Sequence, residues 1–329
     1  MKPFAYVNAA NENEAVAALS PERGKFLPLA GGMDLLALMK DYVAQPDRLV
    51  NVKNLDKTIT KTANGGLRIG AAVTLEDLAN HGETGRLYPA LVQAAAEVGT
   101  PQIRNVGTVG GNLNQRPRCW YYRNEEFDCL KKGGSRCFAV DGENQYHAIF
   151  GGGPCHIIHP SSLAVPAVAL GARFRVAGPA GEREVAADQF FVTPDRNMYG
   201  ETVLQPNELL THMILPAPRA TKSASYEVRY KQSHDWPLAA ATVVLDMNGT
   251  TVRSARVVMG AVAPIPWRAQ AAEAALTGKP ITELTAMAAA DAAVGNAKPM
   301  TQNAYKVQIA RTAVKRAIMK AAGMKVNWV

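Results

Sequence analysis

Cysteine is scarce and confined: the 329-residue chain has four, all between Cys119 and Cys155. A disulfide framework spread through the protein is therefore excluded. Long apolar runs are also missing. The longest stretch, Leu163 to Ala172, is broken by Pro166 and Gly171, whereas a membrane-crossing helix takes about 20 apolar residues. No membrane span is expected. The chain lacks a block of positive charge despite a net charge of +8, and its densest basic stretch, Arg116 to Lys132, is interrupted by Glu125, Glu126 and Asp128. Such diffuse charge suits a solvated surface or a docking face for acidic partners, and nucleic acid is not expected as a partner. The start, Met1-Lys2-Pro3-Phe4-Ala5-Tyr6-Val7, has one charge and no apolar core of a signal peptide. The expected location is cytoplasmic, or periplasmic if a signal-bearing partner exports the chain.

Hydrophobic residues make up 47% and charged residues 19%, enough to build cores in two or three modest domains. Three regions emerge. In residues 1–55, strand patterns at 4–7, 26–29 and 48–52 alternate with helix patterns at 12–19 and 34–42; Asn11 and Glu14 form a capping-box-like start for the first helix. Residues 56–218 mix strands at 67–71 and 173–176 with helices starting at Leu75 and covering 87–98 and 161–170. Residues 219–329 begin after Pro216-Ala217-Pro218-Arg219. Strand patterns at 239–246 and 252–262 flank Asn248-Gly249, a strong hairpin signal. Another strand is expected at 226–230, and helices at 268–276, 281–294 and 304–321.

Two glycine turns stand out. In the first, Leu29-Ala30-Gly31-Gly32-Met33-Asp34-Leu35, a glycine pair lies between a strand and a helix. Its backbone N–H groups and the positive end of the helix suit a pyrophosphate, although a Gly-Gly pair alone is equally a plain tight turn. The second, Arg104-Asn105-Val106-Gly107-Thr108-Val109-Gly110-Gly111-Asn112, packs three glycines, a hydroxyl and two carboxamides together. It matches neither the Rossmann GxGxxG spacing nor a P-loop, which ends in Gly-Lys-Ser/Thr. Two such turns facing one diphosphate would be a different solution to the same binding problem.

The cysteines, Cys119, Cys129, Cys137 and Cys155, follow the pattern C-x9-C-x7-C-x17-C. Close C-x2–4-C pairs, usual for zinc, are missing. Four thiolates on a wrapping loop suit an iron–sulfur cluster. Cluster, zinc site and paired disulfides all remain open on this chemistry. Trp120, Tyr121, Tyr122 and Phe127 read as local packing, and the loop's composition offers little other core.

The two glycine turns resemble the paired FAD motifs of the xanthine dehydrogenase and carbon monoxide dehydrogenase flavoprotein family. The resemblance extends through Leu67-Arg68-Ile69-Gly70-Ala71 to Gln302-Asn303-Ala304-Tyr305-Lys306. It implies an α+β fold of the vanillyl-alcohol-oxidase (PCMH-like) type with a C-terminal α+β domain. It also implies non-covalent FAD held by Leu29, Ala30, Gly31, Gly32, Met33, Asp34 and Leu35 and by Arg104, Asn105, Gly107, Thr108, Gly110, Gly111 and Asn112. A subset similar to periplasmic aldehyde oxidoreductases carries a cysteine insertion after the second turn. Arg118-Cys119-Trp120-Tyr121-Tyr122 and Cys155-His156-Ile157-Ile158-His159-Pro160-Ser161 look like its two ends. The resemblance thus implies a 4Fe–4S cluster on loop 115–160, with Cys129 and Cys137 as middle ligands.

One departure is visible. The family shows a Ser-Asp pair opening the next helix, and this chain has Ser161-Ser162, so a hydroxyl stands where a charge is usual. Tyr230-Lys231-Gln232 resembles the segment that approaches the flavin ring, which would place Lys231 near it. The function implied is electron transfer. A large molybdenum-cofactor subunit oxidises the substrate, a small subunit relays electrons through 2Fe–2S clusters, and this chain passes them through FAD to an external acceptor. The alternatives are a structural or regulatory zinc module and a self-contained flavin oxidase. No catalytic residue is identified in the sequence.

Overall fold

The computed structural model describes residues 1–218 and 221–324. It contains three sheets. The first is built from β1 (Ala5–Asn8), α1 (Glu12–Ala18), β2 (Phe26–Leu29), α2 (Leu35–Lys40) and β3 (Arg48–Asn51), with all-parallel strand order β1-β3-β2. Helical crossovers between parallel strands impose this arrangement. The capping pattern at α1 is realised: Asn11 accepts from the Glu14 N–H, and Glu14 reaches back to the Ala10 N–H.

The next elements are β4 (Ile59–Lys61), β5 (Leu67–Gly70), α3 (Leu75–Asn80), α4 (Gly82–Leu87), α5 (Pro89–Ala96), α6 (Pro101–Val106), α7 (Val109–Leu113) and α8 (Trp120–Arg123). They are followed by α9 (Ala164–Leu170), β6 (Arg173–Gly178), β7 (Gly181–Ala186), α10 (Ala187–Phe190) and β8 (Leu209–Leu215). Their strands form an antiparallel sheet of order β4-β5-β8-β6-β7. The expected helix over 87–98 is divided. Tyr88 leaves helical geometry at φ −136°, ψ 61°, and Pro89 restarts the helix at a position where its missing N–H costs nothing.

A third sheet, β12-β11-β10-β9, is an antiparallel meander. Its strands are β9 (Thr221–Val228), β10 (Ala239–Asn248), β11 (Thr251–Gly260) and β12 (Trp267–Arg268). Asn248 faces Thr251 across the expected hairpin, with Gly249 in the left-handed region at φ 60°. Three helices, α11 (Gln270–Leu276), α12 (Glu283–Val294) and α13 (Tyr305–Ala321), bury an alanine-rich face on this sheet. Small side chains let the helices lie close to the strands.

Two major cores result. One collects Leu75, Leu91, Val109, Leu113, Phe174 and Phe190 around the second sheet, and the other lies between the third sheet and its helices. No described helix is long and apolar enough to cross a membrane.

Candidate functional site

The two glycine turns meet. A Cβ on Gly31 would lie 2.1 Å from the Val106 carbonyl oxygen, so the first turn reaches the second only because residue 31 has no side chain. Gly32 adopts φ 73°, a conformation natural to glycine. Among the described residues, no protein acceptor takes the N–H of Gly31, Gly32 or Met33. Leu29 ends β2, Ala30 is half-buried, Met33 is exposed, and Leu35 opens α2.

The second turn is more helical than its glycines suggest. Thr100 caps α6, Pro101 occupies its first turn, and Gly107 ends it. Thr108 then caps α7 by accepting from the Gly111 N–H at 3.1 Å. The N–H groups of Gly110 and Asn112 go to the carbonyls of Ala71 and Thr108, each at 2.8 Å. A Cβ on Gly110 would meet Ala71 at 2.9 Å, which ties this glycine to packing. Gly111 is exposed, and a Cβ there would lie 3.8 Å from Ala30, on the side of the first turn.

Asn112 is buried, and its Oδ1 accepts from the Ser161 hydroxyl at 2.6 Å and the Leu163 N–H. Ser161 in turn accepts from the N–H of Ala164, the first residue of α9, at 3.0 Å. Arg104 is engaged elsewhere: its Nε donates to Glu76 at 2.7 Å and its Nη1 to the Val98 carbonyl. Asn105 bonds back to the Pro101 carbonyl. Both side chains therefore build the turn.

Ser162 lies beside Glu227, a residue the sequence reading did not single out. Burial pushes the Glu227 carboxyl up to about 7, and its Oε2 is 3.9 Å from Arg229 Nε. A carboxyl thus stands beside Ser162, contributed by β9. The signal was a polar row, Ser223, Ser225 and Glu227, on alternate strand positions. Such a row normally faces water, but here Ser225 bonds Gln93 and the Ala90 carbonyl of α5. Lys231 is exposed, and its backbone N–H bonds Asp235. The surrounding loop reaches Gly99 through His234 and Ser233, and Arg118 through the Trp236 ring.

The cysteine loop is anchored to the rest of the chain at both ends and in the middle. Asp34, at the end of the first glycine turn, accepts from the Arg116 N–H and pairs with Arg118 and Arg123. Burial pulls the Arg118 guanidinium down to about 10. Glu201 forms a buried ion pair with Lys131 at 2.6 Å and pairs with the part-exposed Arg116 at 2.7 Å, while Lys131 also donates to the Met198 carbonyl. At the far end, Lys306 is fully buried and donates to the carbonyls of Tyr146, His147 and Ala261. Burial alone pulls this ammonium down to about 7. Tyr121 packs on Phe127 and Phe138, giving the loop an aromatic core larger than the sequence suggested.

All four cysteines are free thiols. Cys137 and Cys155 lie side by side, and their mutual interaction drives the Cys137 thiol down and the Cys155 thiol up. Burial pushes Cys119 up to about 12 and raises Cys129; Cys119 lies within electrostatic reach of both Cys129 and Cys137. Among the described residues, no three His, Cys, Asp or Glu side chains are gathered to hold one metal ion. Four free thiols on one wrapping loop are the donor set that a 4Fe–4S cubane would take, one thiolate to each iron.

Residues 2–218 match the family described as "FAD binding domain in molybdopterin dehydrogenase", and residues 224–321 match "CO dehydrogenase flavoprotein C-terminal domain". The aldehyde oxidoreductase FAD-binding subunit PaoB of Escherichia coli is 35% identical, over 98% of this chain and 99% of that one. The carbon monoxide dehydrogenase medium chain of Hydrogenophaga pseudoflava is 29% identical, over 97% of this chain and 96% of that one. Among solved structures, carbon monoxide dehydrogenase from Hydrogenophaga pseudoflava superposes with a TM-score of 0.76 at 31% identity, covering 98% of both chains. Quinoline 2-oxidoreductase from Pseudomonas putida gives a TM-score of 0.76 at 26% identity, over 98% of this chain and 99% of that one. The chain belongs to the FAD-binding medium-subunit family of the molybdenum hydroxylases, an oxidoreductase family.

Proposed function

We propose that this chain is the FAD- and 4Fe–4S-carrying electron-transfer subunit of an aldehyde-oxidising molybdenum hydroxylase. The observation that carries the reading is the juxtaposition at Asp34. The residue that ends the first glycine turn also holds Arg116, Arg118 and Arg123 at the root of the cysteine loop. The first glycine turn and the root of the cysteine loop are thereby tied through one carboxylate.

Bound FAD would supply a two-electron carrier able to release electrons singly, and a cluster would supply one-electron transfer. This chain's residues do the holding. The free N–H groups of Gly31, Gly32 and Met33 are donors for a pyrophosphate, with Gly111 and Thr108 closing the second side. Leu29, Ala30, Asp34, Leu35, Arg104, Asn105, Gly107, Gly110, Asn112 and Ser161 shape that cradle, while Ser162 with Glu227, and Lys231, border the ring end. Cys119, Cys129, Cys137 and Cys155 would bind the cluster, and they must lose their remaining protons to do so.

The 35% identity to an aldehyde oxidoreductase subunit over nearly both full chains supports the substrate class. Partners in this reading are a large molybdenum-cofactor subunit, a small 2Fe–2S subunit and an external acceptor. In this reading the parts are 1–55, 56–218 and 219–329, and FAD would lie between the first two. The test is anaerobic addition of an aldehyde to the assembled complex. Bleaching of flavin absorbance, restored by an added acceptor, is expected. Aldehyde oxidation that leaves the flavin oxidised would overturn the relay.

A further inference from the structure

His147 lies inside the cysteine loop and is buried. Its Nε2 is 3.2 Å from the Cys119 sulfur. Its backbone is fixed from another element: the His147 carbonyl accepts from Asn303 Nδ2 at 3.1 Å and Lys306 Nζ at 3.2 Å, both near the start of α13. The ring is held edge-on by Trp120 and tilted against Tyr121. Among the described residues its Nδ1 is buried without a partner.

These contacts select a tautomer. Once Cys119 is a thiolate, as a cluster requires, a proton on Nδ1 would bury a donor with no acceptor and point the Nε2 lone pair at sulfur lone pairs. A proton on Nε2 gives the sulfur a donor and leaves only a lone pair unsatisfied on Nδ1, the lesser penalty. The geometry also argues against ligation. The loop already offers four thiols for the four iron corners of a cubane, and the imidazole is directed at one of those sulfurs.

We propose that His147 is a positioning residue that donates Nε2–H to the Cys119 sulfur and thereby sets the reduction potential of the cluster, without itself binding iron. The inference rests on the cluster reading above. Reduction adds negative charge to the cluster, and some of it resides on the thiolate sulfurs. A donor aimed at one of them stabilises the reduced form more than the oxidised form, so the hydrogen bond raises the potential. The anchoring by Lys306 and Asn303 explains how a loop residue keeps this aim: α13 holds the main chain, and the aromatic rings hold the imidazole.

The test uses the assembled complex with His147→Leu, which removes the donor, and His147→Gln, whose amide restores an N–H near the Nε2 position. Iron and FAD are counted, and the cluster is titrated by EPR through the signal that Cys119→Ala abolishes. His147→Leu is expected to keep its iron while the reduced-to-oxidised ratio at fixed potential falls about tenfold, a shift of about 59 mV downward for a one-electron couple. His147→Gln should recover most of that shift. An unchanged potential in His147→Leu overturns the proposal. So does iron loss in both variants, because it would make His147 a ligand. If the parent complex carries no iron on this loop while FAD is present, the cluster reading fails along with it. That outcome is separable from the others because it appears before any histidine is changed.

Discussion

In the first glycine turn, the N–H groups of Gly31, Gly32 and Met33 have no protein acceptor among the described residues. In the second, those of Gly110, Gly111 and Asn112 are all consumed by Ala71 and Thr108. The two stretches look alike as sequence, yet one presents donors and the other spends its donors on its own shape. Glycine serves a different purpose at each place. At Gly31 it lets the two turns touch, at Gly110 it lets α7 sit on Ala71, and at Gly111 it leaves the surface open. A motif reading that assigns all of them to backbone contact with a diphosphate merges three physical reasons.

Substitutions can break this comparison. The largest effect is expected from Gly31→Val, because the clashing atom is a backbone oxygen that cannot swing aside. FAD occupancy should fall at least tenfold by absorbance, with a lowered melting temperature. Full occupancy would show that the turns need not touch. Asp34→Ala should come next. It leaves Arg118 and Arg123 without their carboxylate in a largely buried setting and should cost about 3 kcal/mol in denaturant unfolding. A loss below about 0.5 kcal/mol would mean that Asp34 does not couple the flavin turn to the loop.

Gly110→Ala and Gly111→Ala test the contrast within the second turn. The first should cost about 2 kcal/mol through overpacking against Ala71. The second should leave unfolding within about 1 kcal/mol of the parent, since Thr108 Oγ1 at 3.1 Å has only to shift slightly, while FAD affinity drops. Equal unfolding costs would erase the distinction.

The smallest effect concerns Glu227, whose carboxyl sits near 7 against an ordinary value of 4.5. Between those values the native protein holds a proton that the unfolded chain has released. Stability therefore falls as pH rises through this window, and the penalty is complete above pH 7. Glu227→Gln should accordingly gain about 1 kcal/mol at pH 8, allowing for local relaxation, and almost nothing at pH 5. A difference that does not vary with pH would mean that the carboxyl is ionised throughout.

Much of the fold is legible in the sequence because local signals agree with it. The Asn248-Gly249 hairpin, the Asn11 cap and the periodic helices at the C-terminal end appear within a few residues of their expected places. Strands β4, β7 and β8 were not. In β8, Leu209–Leu215, the polar pair Thr211 and His212 interrupts the apolar run, and both are buried by Arg175, Arg68 and Asp56 from elsewhere in the chain. No local pattern encodes such partners. The helical turn α7 is hidden by its glycines and α6 by its shortness, although Thr100-Pro101 and Thr108 are readable caps.

The site divides in the same way. The glycine turns and the four cysteines are sequence-local and stand out as candidates. Glu227, Glu201 and His147 reach the site from distant segments or through tertiary contacts, Lys306 stands in a quoted motif without a role, and a buried strand glutamate has no sequence mark that separates it from a surface one. The cysteine loop is the clearest case. Its polar composition suggested a segment held by its cysteines, whereas Asp34, Glu201 and Lys306 fasten it to three different parts of the chain.

The central claim is that one chain holds a flavin cradle and a cluster loop as a single unit. Iron, zinc and FAD analysis of the assembled complex, alongside the same complex carrying Cys119→Ala, tests it most directly. The account predicts one FAD in both proteins and a loss of about four iron atoms per chain in the variant, with partner iron unchanged. Zinc in place of that iron, or identical iron content in the two proteins, would contradict it.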